Sequence, residues 1–272
     1  LLDEAASGAL LATEEIERQA RRLLDDPKSA DTVQRFTELW LGIDQLGRVT
    51  RDAVAYPELT PAVRTAMAEE TQRFIADLWQ NGGTLADLFT ADHTWIDPRL
   101  ADYYQIELDD GEVNEDGFRR VPLGGTPYGG ILTHGSVLTT HALPTTSSPI
   151  HRGLLVRERL LCQELPPPPM NLNVAPPPVD PALTTRERYA QHSSEAACAG
   201  CHNLIDPIGF AFEHFDGIGR YRDRDGLHAI DDRGQIRQTA NTDADFEGVR
   251  GLSQALADSD DVRRCYVEQW VR

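Results

Sequence analysis

The chain has 272 residues, enough for one large domain or two ordinary ones. Its 44 Asp and Glu residues outnumber its 26 Lys and Arg residues, and the net charge of −18 disfavours nucleic acid and anionic membranes as partners. No apolar run reaches the ~18 residues that a membrane helix needs, so no transmembrane segment is predicted. The chain opens at Leu1, without an initiator Met and inside helix-like sequence. We therefore expect it to be part of a longer product with other domains.

The first third of the chain is predicted to be helical. Thr13 is a candidate N-cap of one helix, which would stop at Asp26-Pro27. Thr60-Pro61 predicts the start of another helix, which would end at Gly82-Gly83. Between them, a helix is expected to bury one face, formed by Val33, Phe36, Leu39, Trp40 and Ile43.

The middle of the chain alternates between helix and loop signals. Residues 85–104 are expected to form short helices with Trp95 buried. The acidic segment 107–117 lacks apolar periodicity and indicates an exposed loop, and its spacing does not match a calcium-binding loop. Calcium is therefore not expected. Gly, Thr and Ser dominate residues 124–149 and predict a loop, after which helical spacing resumes from Ile150 to Leu161.

Two proline clusters, at 166–169 and 176–178, mark the most prominent break in the sequence. Proline lacks a backbone N–H and excludes a helix or an inner strand there, so residues 164–183 are predicted to be a linker. After it we expect a helix capped by Thr184 or Thr185, at most one small hairpin, and two closing helices. The predicted fold class is mainly α.

Cys198, Cys201 and His202 form the sequence C-x-x-C-H, which attaches c-type haem. Two thiols about one helical turn apart reach the two vinyl groups of a porphyrin, and the adjacent imidazole then lies under the iron. Ala199 and Gly200 are small and leave room for the edge of the ring. The spacing therefore predicts one covalent haem c, with His202 as its proximal ligand.

Three alternatives stay open for this motif. A structural zinc needs two further thiolate or imidazole ligands, and only single histidines such as His192 and His214 occur nearby. A thioredoxin-like dithiol would follow a buried strand, which residues 193–197 do not predict. A plain disulfide between Cys198 and Cys201 needs no further residues.

The other two cysteines are predicted to form a disulfide. Covalent haem attachment takes place outside the cytoplasm in bacteria, where disulfides persist, so the motif predicts a periplasmic or other extracytoplasmic location. Cys162 ends one predicted helix and Cys265 lies in the last one. A bond between them would join the last helix to the chain before the linker. Two unrelated buried thiols are the alternative.

Residues 198–222, with the sequence CAGCHNLIDPIGFAFEHFDGIGRYR, resemble the signature of the planctomycete-type cytochrome c family. Further similar segments are LDEAASG at 2–8, TSSPIHRG at 146–153 and RERLLC at 157–162, so the resemblance spans most of the chain. It implies an extracytoplasmic, haem-bearing redox protein.

With the linker, the motif and the resemblance taken together, the chain is expected to divide into three parts. Residues 1–163 would form a helical domain, 164–183 the proline-rich linker, and 184–272 a cytochrome c-like helical module.

The distal ligand of the haem iron decides between electron transfer and catalysis, because an open iron binds peroxide or oxygen. Small cytochromes c place a distal Met downstream of the motif, but Met67 and Met170 both lie upstream. The resemblance favours His192, six residues before Cys198, and Met170 is the alternative.

Four further residues are candidates for contacts to the haem or its ligand. A backbone carbonyl near Pro207 would accept a hydrogen bond from the second N–H of His202 and fix the ring. The haem propionates would pair with Arg152, Arg220 and Arg222, and ion pairs with protein carboxylates are the alternative for each.

The function predicted from the sequence is electron transfer by one covalent haem, with a redox protein as partner. The acidic charge of the chain would suit a basic partner. One alternative is a haem enzyme of the peroxidase or oxidase type with an open distal side. The other is a non-redox interaction domain in which Cys198 and Cys201 form a disulfide.

Overall fold

A computed structural model of the protein describes residues 1–108, 115–167, 175–193 and 196–271. The α-helices among these residues are α1 (Leu2–Ala6), α2 (Thr13–Leu24), α3 (Ser29–Leu41), α4 (Pro61–Gln80), α5 (Leu85–Thr90), α6 (Pro98–Tyr104), α7 (Gly135–Thr140), α8 (Pro149–Leu154), α9 (Thr185–His192), α10 (Ala196–Gly209), α11 (Gly248–Ala257) and α12 (Asp260–Val271). Short 3₁₀ turns occupy Ala9–Leu11, Ile43–Gln45, Ile131–Thr133 and Phe210–Phe212, and a π-helix occupies Leu155–Leu160.

The strands in the described part of the chain are β1 (His93–Ile96), β2 (Arg119–Pro122), β3 (Arg224–Asp225), β4 (His228–Ala229), β5 (Arg233–Ile236) and β6 (Ala244–Glu247). They form antiparallel pairs, β1 with β2, β3 with β4, and β5 with β6. The prediction of a mainly α fold is confirmed, although these pairs replace the single hairpin that was expected. Among the described helices, none has the length and apolar character to cross a membrane.

Two helix starts follow their predicted caps. The hydroxyl oxygen of Thr60 accepts a hydrogen bond from the N–H of Val63, and Pro61 takes the first position of α4. Thr184 caps α9 in a reciprocal pair with Glu187, each side chain accepting a hydrogen bond from the other residue's backbone N–H. The two predicted closing helices are α11 and α12.

The apolar residues of α2 face solvent. This helix begins at Thr13 itself, and Ala12 rather than Thr13 is its N-cap, which corrects the predicted cap. Ile16 is 52% exposed and Leu24 is 51% exposed, while Gln19 is buried. In α3, Trp40 is buried as predicted, whereas Leu39 is 47% exposed. Helical spacing predicts that apolar residues share a face, but the surrounding fold decides whether another element covers that face.

Residues 85–104 include a strand that the sequence analysis did not predict. β1 lies between α5 and α6, and its register with β2 places His93 opposite Pro122 and Ile96 opposite Arg119. Trp95 is half-buried on this strand rather than buried in a helix. A strand of four residues is too short for its alternation to be separated from helical spacing.

α8 and α10 run in opposite directions and pack closely. A Cβ atom built at Gly153 of α8 would lie 2.3 Å from the carbonyl oxygen of Ile205. One built at Gly209 of α10 would lie 2.0 Å from the carbonyl oxygen of Pro149. Only glycine permits these two approaches, so the glycines determine how the C-x-x-C-H helix lies on α8.

Cys162 and Cys265 form the predicted disulfide, with their Cα atoms 5.4 Å apart. The π-helix that continues α8 leads to Cys162, and the N–H of Leu161 donates to the carbonyl oxygen of Val156, five residues earlier. Cys162 itself has a φ of 51°, in the left-handed region, where the helical path ends. The bond therefore joins the end of this helix to α12.

A single hydrophobic cluster extends across the predicted linker. It includes Leu41 of α3, Phe212 after α10 and Val262 of α12. Within residues 164–183, the described part contains no helix or strand, in agreement with its prolines. The core is thus continuous on both sides of the linker, and the division into three parts stays a prediction.

Replacing both Cys162 and Cys265 by Ser is expected to lower the free energy of unfolding by about 4–5 kcal/mol, because the bond closes a loop over a sequence separation of 103. Denaturant unfolding of the oxidised proteins measures this loss. A thiol reductant should reproduce it in the wild-type protein and should leave the double variant unchanged. Equal unfolding midpoints for the oxidised wild type and the double variant would contradict the expectation.

Candidate functional site

α10 carries the whole C-x-x-C-H sequence. Cys198 and Cys201 lie one turn apart on this helix, are partly exposed, and are not bonded to each other. Apart from its chain neighbours and the backbone of α10, no atom of the described residues lies within 4 Å of a Cβ built at Gly200, which stands between the two cysteines in sequence. The helix therefore presents two free, partly exposed thiols one turn apart, an arrangement that fits attachment of a porphyrin through its vinyl groups.

The imidazole of His202 is held by Asp206. Nδ1 of His202 lies 3.0 Å and 2.9 Å from the two carboxylate oxygens of Asp206, one helical turn further along α10. Hydrogen bonding to this carboxylate raises the pKa of His202. A neutral imidazole that donates its Nδ1–H to Asp206 carries its lone pair on Nε2, the nitrogen that would bind iron.

The partner of Nδ1 is thus the Asp206 side chain, which corrects the expectation of a backbone carbonyl near Pro207. Pro207 lies inside α10, where carbonyl groups point towards the C-terminal end of the helix. Its carbonyl oxygen lies 2.4 Å from a Cβ built at Gly234, and so faces β5. It therefore points away from His202, which precedes it in the same helix.

Arg152 lies in the core, which corrects its predicted contact to a haem propionate. The residue is 1% exposed, and its guanidinium donates hydrogen bonds to backbone carbonyl oxygens of Leu138, Phe212, Phe215 and Asp216. An enclosed guanidinium with these acceptors cannot reach a carboxylate at the edge of a haem. Its hydrogen bonds instead connect α8 to α7 and to the segment after α10.

Arg220 and Arg222 form the ion pairs that were the alternative to propionate contacts. Nη1 of Arg220 lies 2.8 Å from a carboxylate oxygen of Glu58. The guanidinium of Arg222 lies 2.8 Å from carboxylate oxygens of both Glu213 and Asp225. A role for either arginine at a propionate stays a prediction.

Both candidates for the distal ligand lie outside the described residues: Met170 in the segment 168–174, and the side chain of His192, the last residue of α9. Both assignments stay predictions.

Other histidines make hydrogen bonds within the protein: His134 with Thr71, His141 with the carbonyl of Leu41, His151 with Ser148, His214 with the carbonyl of Arg222, and His228 with the carbonyl of Pro181.

No group of three or more Cys, His, Asp or Glu side chains suited to a metal ion occurs in the described part of the chain. A structural zinc at the motif would therefore lack its remaining ligands among those residues. The same finding leaves the haem prediction open, because a porphyrin supplies four nitrogens itself and needs only one or two axial side chains.

A buried polar network on α4 was not predicted. Glu70 is 2% exposed, and the hydroxyls of Tyr104 and Thr94 lie 2.7 Å and 2.9 Å from its two carboxyl oxygens. Nδ1 of His134, which is also 2% exposed, lies 3.0 Å from the hydroxyl of Thr71. Position 70 lies at helical spacing between apolar residues of α4, and this spacing could have indicated a buried carboxyl group.

Burial makes both titratable groups of this network neutral near pH 7. Desolvation raises the pKa of Glu70 to about 8 and lowers the pKa of His134 to about 3. The Glu70 contribution to stability is therefore full below about pH 4.5 and is lost as the pH rises to about 8. The His134 contribution has the opposite sign, being present above about pH 6.5 and lost as the pH falls to about 3.

Between pH 6.5 and 8 the ionisation of Glu70 lowers the free energy of unfolding, whereas His134 is largely neutral in both the folded and the unfolded chain. Glu70→Gln is expected to remove this pH dependence. The unfolding free energy of the wild type should fall by about 2 kcal/mol relative to the variant over this window. Chemical denaturation at a series of pH values measures the difference. Glu14→Gln, at an exposed position of α2, is the control and should run parallel to the wild type. Parallel curves for Glu70→Gln would contradict the assignment.

Comparison with known families finds two matches on this chain. Residues 128–225 match PSCyt3, described as a protein of unknown function (DUF1588), and residues 1–106 match PSD4, described as a protein of unknown function (DUF1592). By name these are planctomycete cytochrome-type domains. No curated protein and no solved structure matches the chain. The PSCyt3 match includes the C-x-x-C-H sequence and Asp206, so this part of the chain is similar to a cytochrome-type domain family.

Proposed function

We propose that the protein carries one haem c, attached through Cys198 and Cys201 and ligated by His202, and that it transfers electrons. The observation that carries the proposal is the arrangement on α10. Two thiols that are not bonded to each other lie one turn apart, next to an imidazole held through Nδ1 by Asp206. When bound, the haem supplies a one-electron couple between ferric and ferrous iron.

The protein holds α10 firmly on the side away from solvent. Besides the glycine contacts with α8, the guanidinium of Arg157 donates to the carbonyl oxygen of Leu204 at 3.0 Å. Arg157 is 1% exposed and also bonds to the carbonyl oxygen of Arg237 at 2.6 Å. These contacts give the ligand helix a defined position, which an electron-transfer site needs if His202 is to keep one orientation.

The disulfide supports an extracytoplasmic location for this function. Disulfides such as Cys162–Cys265 persist in oxidising compartments, where covalent haem attachment also takes place in bacteria. The partner would be a redox protein, and the net charge of −18 favours one with a basic surface, because complementary charge speeds encounter. His192, or Met170 as the alternative, would complete a six-coordinate iron.

A haem enzyme of the peroxidase or oxidase type is a second candidate, and one observation favours it. The Asp206 carboxylate raises the basicity of the His202 imidazole, and a more basic proximal ligand promotes cleavage of an O–O bond on an open distal side. The third function predicted from the sequence, a domain with a Cys198–Cys201 disulfide, is not favoured because the two thiols are not bonded to each other.

Expression together with a haem c maturation system is expected to yield protein whose denatured intact mass includes one haem. A Cys198→Ala and Cys201→Ala double variant should lack this mass, because both thioether bonds are lost. The Cys162→Ser and Cys265→Ser double variant is the matched control and should keep it. Wild-type protein without covalent haem under these conditions would contradict the proposal.

The spectrum of the loaded protein separates the two candidate functions. A sharp low-spin spectrum in both oxidation states supports electron transfer, whereas a high-spin spectrum that changes with peroxide supports the enzyme. His192→Ala should change the spin state if His192 is the distal ligand, and an unchanged spectrum would eliminate that assignment.

A further inference from the structure

Asp206 contacts His202 through both of its carboxylate oxygens, and the two residues are close in sequence. Both carboxylate oxygens lie within hydrogen-bond distance of the same nitrogen, at 3.0 Å and 2.9 Å. The two residues are four positions apart on one helix, so the regular geometry of α10 aligns them without help from a loop. The helix that carries both residues therefore also sets the position of the carboxylate relative to the imidazole.

The contact also lies in an environment that makes it strong. The side chain of Asp206 is 6% exposed and that of His202 is 16% exposed. Tyr189 of α9 is itself 2% exposed, and burial is the main cause of the raised pKa of its phenol, to which the negative charge of Asp206 adds a minor contribution. A charge interacts more strongly with its neighbours where water is excluded, so the Asp206 carboxylate acts on the imidazole with little screening.

A carboxylate and a backbone carbonyl affect a proximal histidine differently. A carbonyl contributes a dipole, whereas a carboxylate contributes a full negative charge and draws the Nδ1 proton towards itself. The imidazole then donates more electron density through Nε2 and stabilises the ferric state, which has one more positive charge than the ferrous state. Reduction adds one electron from the redox partner, and the nearby negative charge opposes this addition.

We propose that Asp206 is a positioning residue that holds the proximal imidazole through Nδ1 and lowers the reduction potential of the haem. The inference rests on the proposed function, because it concerns the haem that His202 would ligate. It goes beyond that function by assigning the control of the potential to a carboxylate on the ligand helix itself.

The test is potentiometric titration of loaded Asp206→Asn, a variant of nearly the same shape that keeps an acceptor but removes the charge. At a fixed ambient potential, the ratio of ferrous to ferric haem should rise about tenfold or more, which is 59 mV for a one-electron couple. Asp206→Glu restores the charge and should recover most of the lower potential.

Glu213→Gln is the matched control. Glu213 is as buried as Asp206, and its carboxylate pairs with Arg222 and accepts a hydrogen bond from Ser147. Removing this charge should change the ferrous to ferric ratio far less than Asp206→Asn does. Equal shifts in the two variants, or no shift in Asp206→Asn, would overturn the positioning role.

Nitrogen-15 NMR of the haem-free wild type tests the contact without the cofactor. The neutral His202 ring should carry its proton on Nδ1, and the Nε2–H form as the main tautomer would overturn the proposal even if Asp206→Asn fails to fold.

Different results contradict the proposed function and the role of Asp206. Absence of covalent haem in the wild type contradicts the proposed function, whereas a loaded protein with an unchanged Asp206→Asn potential contradicts only the role of Asp206.

Discussion

The close packing of α8 against α10 is the contact on which the rest of the described site depends. Gly153 and Gly209 bring the two helix backbones to a distance that no other residue would allow. This contact places α10 against the core and leaves its two thiols partly exposed. α8 continues through the π-helix to Cys162, so the disulfide and the C-x-x-C-H sequence share one structural support.

Two arginines in the core strengthen this support. Arg152 and Arg157 are both 1% exposed, and the guanidinium of each donates hydrogen bonds to backbone carbonyl oxygens from distant parts of the chain. A buried charge is costly unless hydrogen bonds replace its hydration, and several carbonyl acceptors do this without a carboxylate partner. Arg152 in this way connects α8 to the irregular chain after Phe210–Phe212.

Local signals were sufficient for several predictions. The caps at Thr60 and Thr184 depend on residues within one turn of each other, and the structure contains both. The Cys162–Cys265 pairing also followed from the positions of the cysteines, because the other two belong to a recognisable motif. The strand β1 was missed for the opposite reason, since its identity depends on pairing with β2 more than 20 residues later.

The sequence by itself determined the mainly α class, the helix starts at Thr60 and Thr184, the disulfide pairing and the C-x-x-C-H spacing. These features depend on neighbours along the chain or, for the disulfide, on which cysteines the motif leaves over. Only the tertiary structure decided which face of α2 is exposed, that Arg152 faces carbonyl groups, and that Glu70 is buried. It also decided that His202 bonds to Asp206 rather than to the carbonyl of Pro207. Burial and hydrogen-bond partners are set by contacts between distant segments and by side-chain direction, which residue spacing does not specify.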